Sequence, residues 1–225
     1  MSVAGAGDEQ ATVKLRGFGP VGLLAILVIL AGNAIVMPGS AILVLAWARW
    51  SRTPWREIGY VRPRSWMGSL VVGLVLGAGF KLLMKAVVMP LLGADPVNHA
   101  YHFLAGNREA LPWALYAMIV GAGFGEETVF RGYLFERLGK LLGPGPLARM
   151  LTVLVVSLWF GLDHYSVQGF WGAEQATIFG LVFGAVYAVT GRLFPLMVAH
   201  AAFDLTALAI IYWDLEPTVA HLIFK

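Results

Sequence analysis

Three apolar stretches of this chain each carry ionisable side chains. Gly125-Glu126-Glu127-Thr128-Val129-Phe130-Arg131 lies inside one, Phe160-Gly161-Leu162-Asp163-His164 closes the next, and His200-Ala201-Ala202-Phe203-Asp204 lies inside the last. A charge at the centre of a membrane span costs roughly 2.5–3.5 kcal/mol on insertion scales, so each of these groups needs a reason. Glu127 and Arg131 share a helix face and can pair there, while Glu126 points about 100° away and is free for another task. His200 and Asp204 also project from one face, and a carboxylate beside an imidazole fixes its tautomer. Taken singly, the groups have structural readings: a Glu–Arg bridge, an interfacial histidine, a polar clamp between helices. Together they supply two carboxylates, two imidazoles and a further acid. That set can activate water inside a membrane cavity for general-base attack on an amide, with histidine stabilising the oxyanion or carrying a proton.

The elements that must hold these residues are membrane helices. Of the 225 residues, 59% are hydrophobic and 13% charged, about half the charged fraction of an ordinary soluble domain. There is no cysteine, which excludes disulfides, thiol nucleophiles and cysteine zinc sites. The pattern predicts an all-α, polytopic transmembrane bundle of about six to eight spans around a conical cavity. Residues 1–16 read as a disordered tail. Residues 18–50 are too long for one untilted span and short for two, and read as a hairpin of two helices broken at Gly32-Asn33 and Pro38-Gly39. Further spans are expected at 67–92, 112–138, 147–164, 175–191 and 193–213. Residues 93–111 form a loop, and Gly143-Pro144-Gly145-Pro146 a turn. Lys81 and Lys85, one turn apart in the third span, are expected to snorkel or face a polar interior. By organisation, 17–111 are N-terminal membrane helices, 112–213 a catalytic core and 214–225 a tail.

Counting basic residues on this topology collects Lys14, Arg16, Arg49, Arg52, Arg56, Arg62, Arg64, Arg137, Lys140, Arg149 and Arg192 on one face. The other keeps Arg108 and Lys225. Positive-inside asymmetry then places the N-terminus in the cytoplasm. Trp50, Trp55, Tyr60 and Trp66, interleaved with the arginines, fit a headgroup-level segment.

The three motifs resemble those of the CPBP (CAAX protease and bacteriocin-processing, or ABI) family, which includes the type II CAAX prenyl proteases. The family pattern is Glu-Glu-x-x-x-Arg, Phe-x-x-x-His and His-x-x-x-Asn, or a similar small polar residue in place of the Asn, on successive core helices; here it reads Glu126-Glu127…Arg131, Phe160…His164 and His200…Asp204. The resemblance covers about residues 112–210. It implies an intramembrane endopeptidase in a prokaryotic inner or plasma membrane, acting on a membrane-associated peptide or protein, with no nucleic-acid partner. It implies that Glu126 activates water with help from His164, that His200 sits at the scissile carbonyl and that Arg131 orients Glu127. No cofactor is expected; the alternative is zinc on Glu126, His164 and His200. Asp204 departs from the pattern. An ionised aspartate cannot donate to an oxyanion as asparagine can, so Asp204 must be protonated, orient His200 or help to hold a cation. Competing readings are a non-proteolytic scaffold, immunity or regulatory protein of the same fold, and a transporter. No His-Glu-x-x-His motif is present. His164 falls near the far end of its span, so a bent or re-entrant end is expected around Gly161–His164.

Overall fold

The computed structural model describes residues 3–224, with side chains from Glu9 onward. Among these residues there is no strand. The helices are α1 (Val3–Arg16), α2 (Pro20–Ala31), α3 (Gly39–Trp50), α4 (Trp66–Leu91), α5 (residues 111–142), α6 (Pro146–Thr190), α7 (Leu193–Tyr212) and the short α8 (Glu216–Ala220). Local chemistry sets their ends. The Ser65 side chain accepts the Gly68 N–H at the start of α4, Pro146 opens α6, and Gly191 closes α6 in the left-handed region. Val3–Arg16, expected as a disordered tail, is helical. Residues 1 and 2 of that tail, and Lys225 of the sparse face, lie outside the described residues.

The 18–50 segment is a hairpin. Asn33 and Ser40 exchange two hydrogen bonds of 3.0 Å across its tip. Each arm has 12 residues, about 18 Å at 1.5 Å per residue, well short of a hydrocarbon core about 30 Å thick. Among the described residues three helices are long and apolar enough to cross a membrane, α4, α6 and α7. The bent pair Glu9–Arg16 and Pro20–Ala34 makes up to four. The figure falls below the six to eight expected for physical reasons. The hairpin arms are short, α5 carries four buried charges, Glu127, Arg131, Glu136 and Arg137, and two expected spans are one element, α6.

That element corrects the expected break at Gly161–His164. The helix runs unbroken past His164, and the chain reverses at Gly169, the one residue inside α6 with non-helical dihedrals (φ 65°, ψ −162°). Its two arms then pack antiparallel. Gly161 lies against Ala173 and Thr177, Gly180 against Ser157, and Gly184 against Val153. Gly161 is therefore a close-packing residue rather than a hinge.

Small residues also set the neighbours of α7. Gly73 of α4 lies against Pro195 and Val198, and Gly77 against Ala199 and Ala202, so α4 and α7 run parallel with backbones nearly touching. On another side, Gly123 of α5 meets Met197 and Ala201, while Gly132 meets Leu193, so α5 runs antiparallel to α7. The core between them is aromatic: Phe130, Phe160, Phe179, Phe183 and Phe203 are all buried. At one end of the bundle Glu57 pairs with Arg16 (3.2 Å) and Lys140 (3.0 Å), and Glu136 pairs with Arg137 and Lys140.

Candidate active site

Two stretches of helix are wound wider than an α-helix, with π-type turns: Met84–Val88 in α4 and Ala117–Leu134 in α5. Such turns recur at functional sites, and here they carry buried Lys85 and the Glu126-Glu127…Arg131 motif. Glu127 faces inward and is fully buried. Arg131, one turn later, donates to it from Nη1 at 2.9 Å. The other guanidinium nitrogens, Nε and Nη2, have no hydrogen-bond partner. They lie among ring faces, with Phe160, Phe179 and Phe183 centred 4.8, 5.5 and 5.8 Å from Cζ. A cation over aromatic faces is stabilised by their quadrupoles, so Arg131 is caged, and among the described residues its one ionic partner is Glu127.

Glu127 also takes the His200 ring. His200 Nδ1–H donates to Glu127 Oε1 at 2.7 Å, which turns Nε2 towards Glu126 Oε2 (3.7 Å) and Asp204 Oδ2 (3.8 Å). The group that hydrogen-bonds and orients His200 is thus Glu127, across the helix interface; Asp204, one turn along α7, stands beyond hydrogen-bonding distance. Glu126 keeps Oε2 without a hydrogen-bond partner. His164 donates Nδ1–H to the Phe160 carbonyl at 2.8 Å, which leaves Nε2 as the free nitrogen.

Glu126, His164, His200 and Asp204 line one cavity of about 270 Å³. Glu127 and Arg131 lie behind its wall and fix it. The structure therefore brings all six sequence-derived residues to one place. Among the described residues no three His, Asp or Glu side chains converge as a metal-ligand set, so the alternative zinc ligands Glu126, His164 and His200 share the cavity without forming one. The cavity is also lined by the polar residues Lys81, Asn98, Gln168 and Gln175 and by the apolar residues Met37, Trp113, Ala117 and Met118. Tyr101 also lines it and accepts from Gln168 Nε2 at 3.3 Å. Burial, with the Asp204 and Glu126 charges, pushes its phenol above the ordinary value, so it is a protonated donor at neutral pH.

The order, spacing and convergence of these side chains agree with the comparison to known proteins. Residues 108–206 match the family model described as type II CAAX prenyl endopeptidase Rce1-like. Over that segment, less than half of its length, the chain is similar to the Rce1-like family. No curated protein and no solved structure matches the chain. The Rce1-like segment contains all six motif residues and ends two residues past Asp204; α1–α4 and α8 lie outside it. Sequence reasoning missed three parts of the site. The Phe179–Phe183 side of the cage gave no signal beyond a generic apolar run. Gln175 reads as the first residue of the span expected at 175–191, with nothing to mark a role. Gly73 and Gly77, four apart in an apolar span, were a legible sign of close helix packing.

Proposed function

We propose that the chain is an intramembrane endopeptidase that hydrolyses a peptide bond in a membrane-associated polypeptide by glutamate-activated water. One observation carries the reading: a carboxylate oxygen of Glu126 with no hydrogen-bond partner, in a cavity between helices, 3.7 Å from an imidazole nitrogen. Buried polar atoms are nearly always partnered, and a water between Glu126 and His164 would partner this one. Glu126 takes a proton as the water oxygen attacks the carbonyl carbon. His200, its ring fixed by Glu127 and carrying a proton on Nε2, faces the developing oxyanion. The proton held by Glu126 passes to the amide nitrogen as the C–N bond breaks, leaving a carboxylic acid and an amine. Asp204 shapes the polar wall beside His200.

The test compares wild type, Glu126→Gln and Glu126→Ala in lipid nanodiscs on a panel of membrane-tethered peptides. Cleavage by wild type and its loss in both variants is the expected result; cleavage retained in both removes Glu126 as the base. Insensitivity to chelators, with metal analysis of the purified protein, is expected on the glutamate mechanism. Loss of activity on chelation and its return with zinc would replace that mechanism by a metal-dependent one.

A further inference from the structure

Lys81 and Lys85 occupy successive turns of α4 and are equally buried, at 7% and 9% exposure, yet they are neutralised differently. Lys85 Nζ is ion-paired with Glu216 at 3.1 Å and donates to the Pro96 carbonyl. Lys81 Nζ has a neutral partner, Gln175 Oε1 at 3.2 Å, and stands 4.8 Å over the Phe203 ring. Among the described residues no carboxylate lies within salt-bridge distance of it. An ammonium has three donors, and a charge withdrawn from water without an anionic partner is costly.

Its position gives this cation a use. Lys81 and Gln175 line the cavity that holds Glu126, His164 and His200, and they also line a second cavity of about 150 Å³ that abuts it. The two share Asn98 and Gln168 as well. The close packing of Gly77 on Ala199 fixes Lys81, one turn further along α4, beside Phe203 and Asp204 of α7. A polypeptide whose scissile bond lies at Glu126 would occupy the same cavity as the side chains of Lys81 and Gln175.

We propose that Lys81, with Gln175, is a specificity subsite that binds a carboxylate of the substrate beside the scissile bond. The proposal rests on the endopeptidase reading for its meaning but not for its test. The carboxylate is either the substrate's own chain terminus or an acidic side chain; both offer the same two acceptor oxygens to Nζ and the Gln175 amide.

The experiment uses the full chain in nanodiscs and two readouts. In the first, a lipid-anchored apolar peptide is presented as free acid, as terminal amide, and as terminal amide with one glutamate placed one to three residues from the cleaved bond. The expected result is a kcat/KM at least about tenfold higher for a carboxylate-bearing form, as for a hydrogen bond to a charged group. Lys81→Met abolishes that preference, acting mainly on the KM of the carboxylate-bearing form; Lys81→Arg restores part of it. Preference for the free acid assigns the chain terminus, and preference for the internal glutamate assigns a side chain. Equal loss on all three peptides would mean that Lys81 only balances the charge of Asp204 and Glu126, and overturns the subsite. The second readout is binding of the tripeptide Leu-Ala-Leu, as acid and as amide, to Glu126→Gln. Acid-selective binding that Lys81→Met removes is expected; equal binding of both forms, with no tighter binding of the amide of Leu-Glu-Leu, overturns the proposal even where no peptide is cleaved. Cleavage without carboxylate preference would sink the subsite and leave the endopeptidase standing.

Discussion

Arg131 and Glu127 matter as a pair more than either does alone. Glu127 accepts from Arg131 and from His200 with the same oxygen, and Arg131 has only aromatic faces around its remaining donors. Removing one member leaves the other charged and uncompensated in the core, which costs about 3–5 kcal/mol, whereas replacing both by apolar residues of similar volume is often near neutral. Glu127→Leu is therefore expected to lower thermal stability in detergent sharply, and Glu127→Leu with Arg131→Met to recover most of it. Neither variant should cleave, because both free the His200 ring. A double variant no more stable than the single one would refute the pairing. The helical period made this pair legible in the sequence, since Glu127 and Arg131 share a face. The link from Glu127 to His200 was not legible, because it crosses between helices and depends on the register of α5 against α7. Sequence spacing pointed instead to Asp204, the local neighbour of His200, which stands at 3.8 Å.

Register is a property of elements, and here glycines set it. The sequence located α4, α7 and the body of α5 to within a few residues, because apolar runs bounded by Pro, Gly and Arg leave little choice. It divided α6 into two spans with a loop at 165–174, because Ser166, Gln168 and Glu174 make that stretch polar. The stretch stays helical on both sides of Gly169, whose positive φ alone reverses the chain. The contact of Gly77 with Ala199 is the one that places His200 and Lys81. A side chain at Gly77 would collide with the Ala199 backbone, while Gly79, two residues on, has nothing within 4 Å. Gly77→Leu is expected to cost about 1–3 kcal/mol of stability, as overpacking does, and to abolish cleavage by displacing α7. Gly79→Leu should unfold no earlier than wild type, since leucine is the better helix former. Thermal unfolding and peptide cleavage of the two variants, side by side, check this. Equal effects would mean that the α4–α7 interface does not position the site.

Across the whole molecule the two ends of the bundle are built differently. One gathers Arg16, Arg137 and Lys140 around Glu57 and Glu136, the end that the basic-residue asymmetry marks. The other is tied by one buried carboxylate. Glu216, 1% exposed at the start of α8, pairs with Lys85 of α4 and accepts the Asn98 N–H at 2.9 Å, with His102 at 3.5 Å. Nothing in the sequence marks this tie, because its partners are separated by more than a hundred residues and 214–225 read as a tail. Its consequence is for access. Asn98, Tyr101, Phe103 and Leu104, from the segment that Glu216 holds, wall the Glu126 cavity. A substrate from that side must pass a segment that Glu216 holds together with the Lys85–Pro96 and Gln168–Tyr101 hydrogen bonds. Glu216→Gln keeps the shape but turns the ion pair into a neutral hydrogen bond, and Glu216→Ala removes both bonds; each leaves Lys85 buried without its anion. Hydrogen exchange of the full chain in nanodiscs should then speed up over residues 94–104, more in Glu216→Ala than in Glu216→Gln, while protection of α7 around His200 stays unchanged. Exchange that rises equally in α7 would mean that Glu216 holds the bundle as a whole. Exchange unchanged in 94–104 would mean that the segment is held by its own packing, and the tie has no part in gating the cavity.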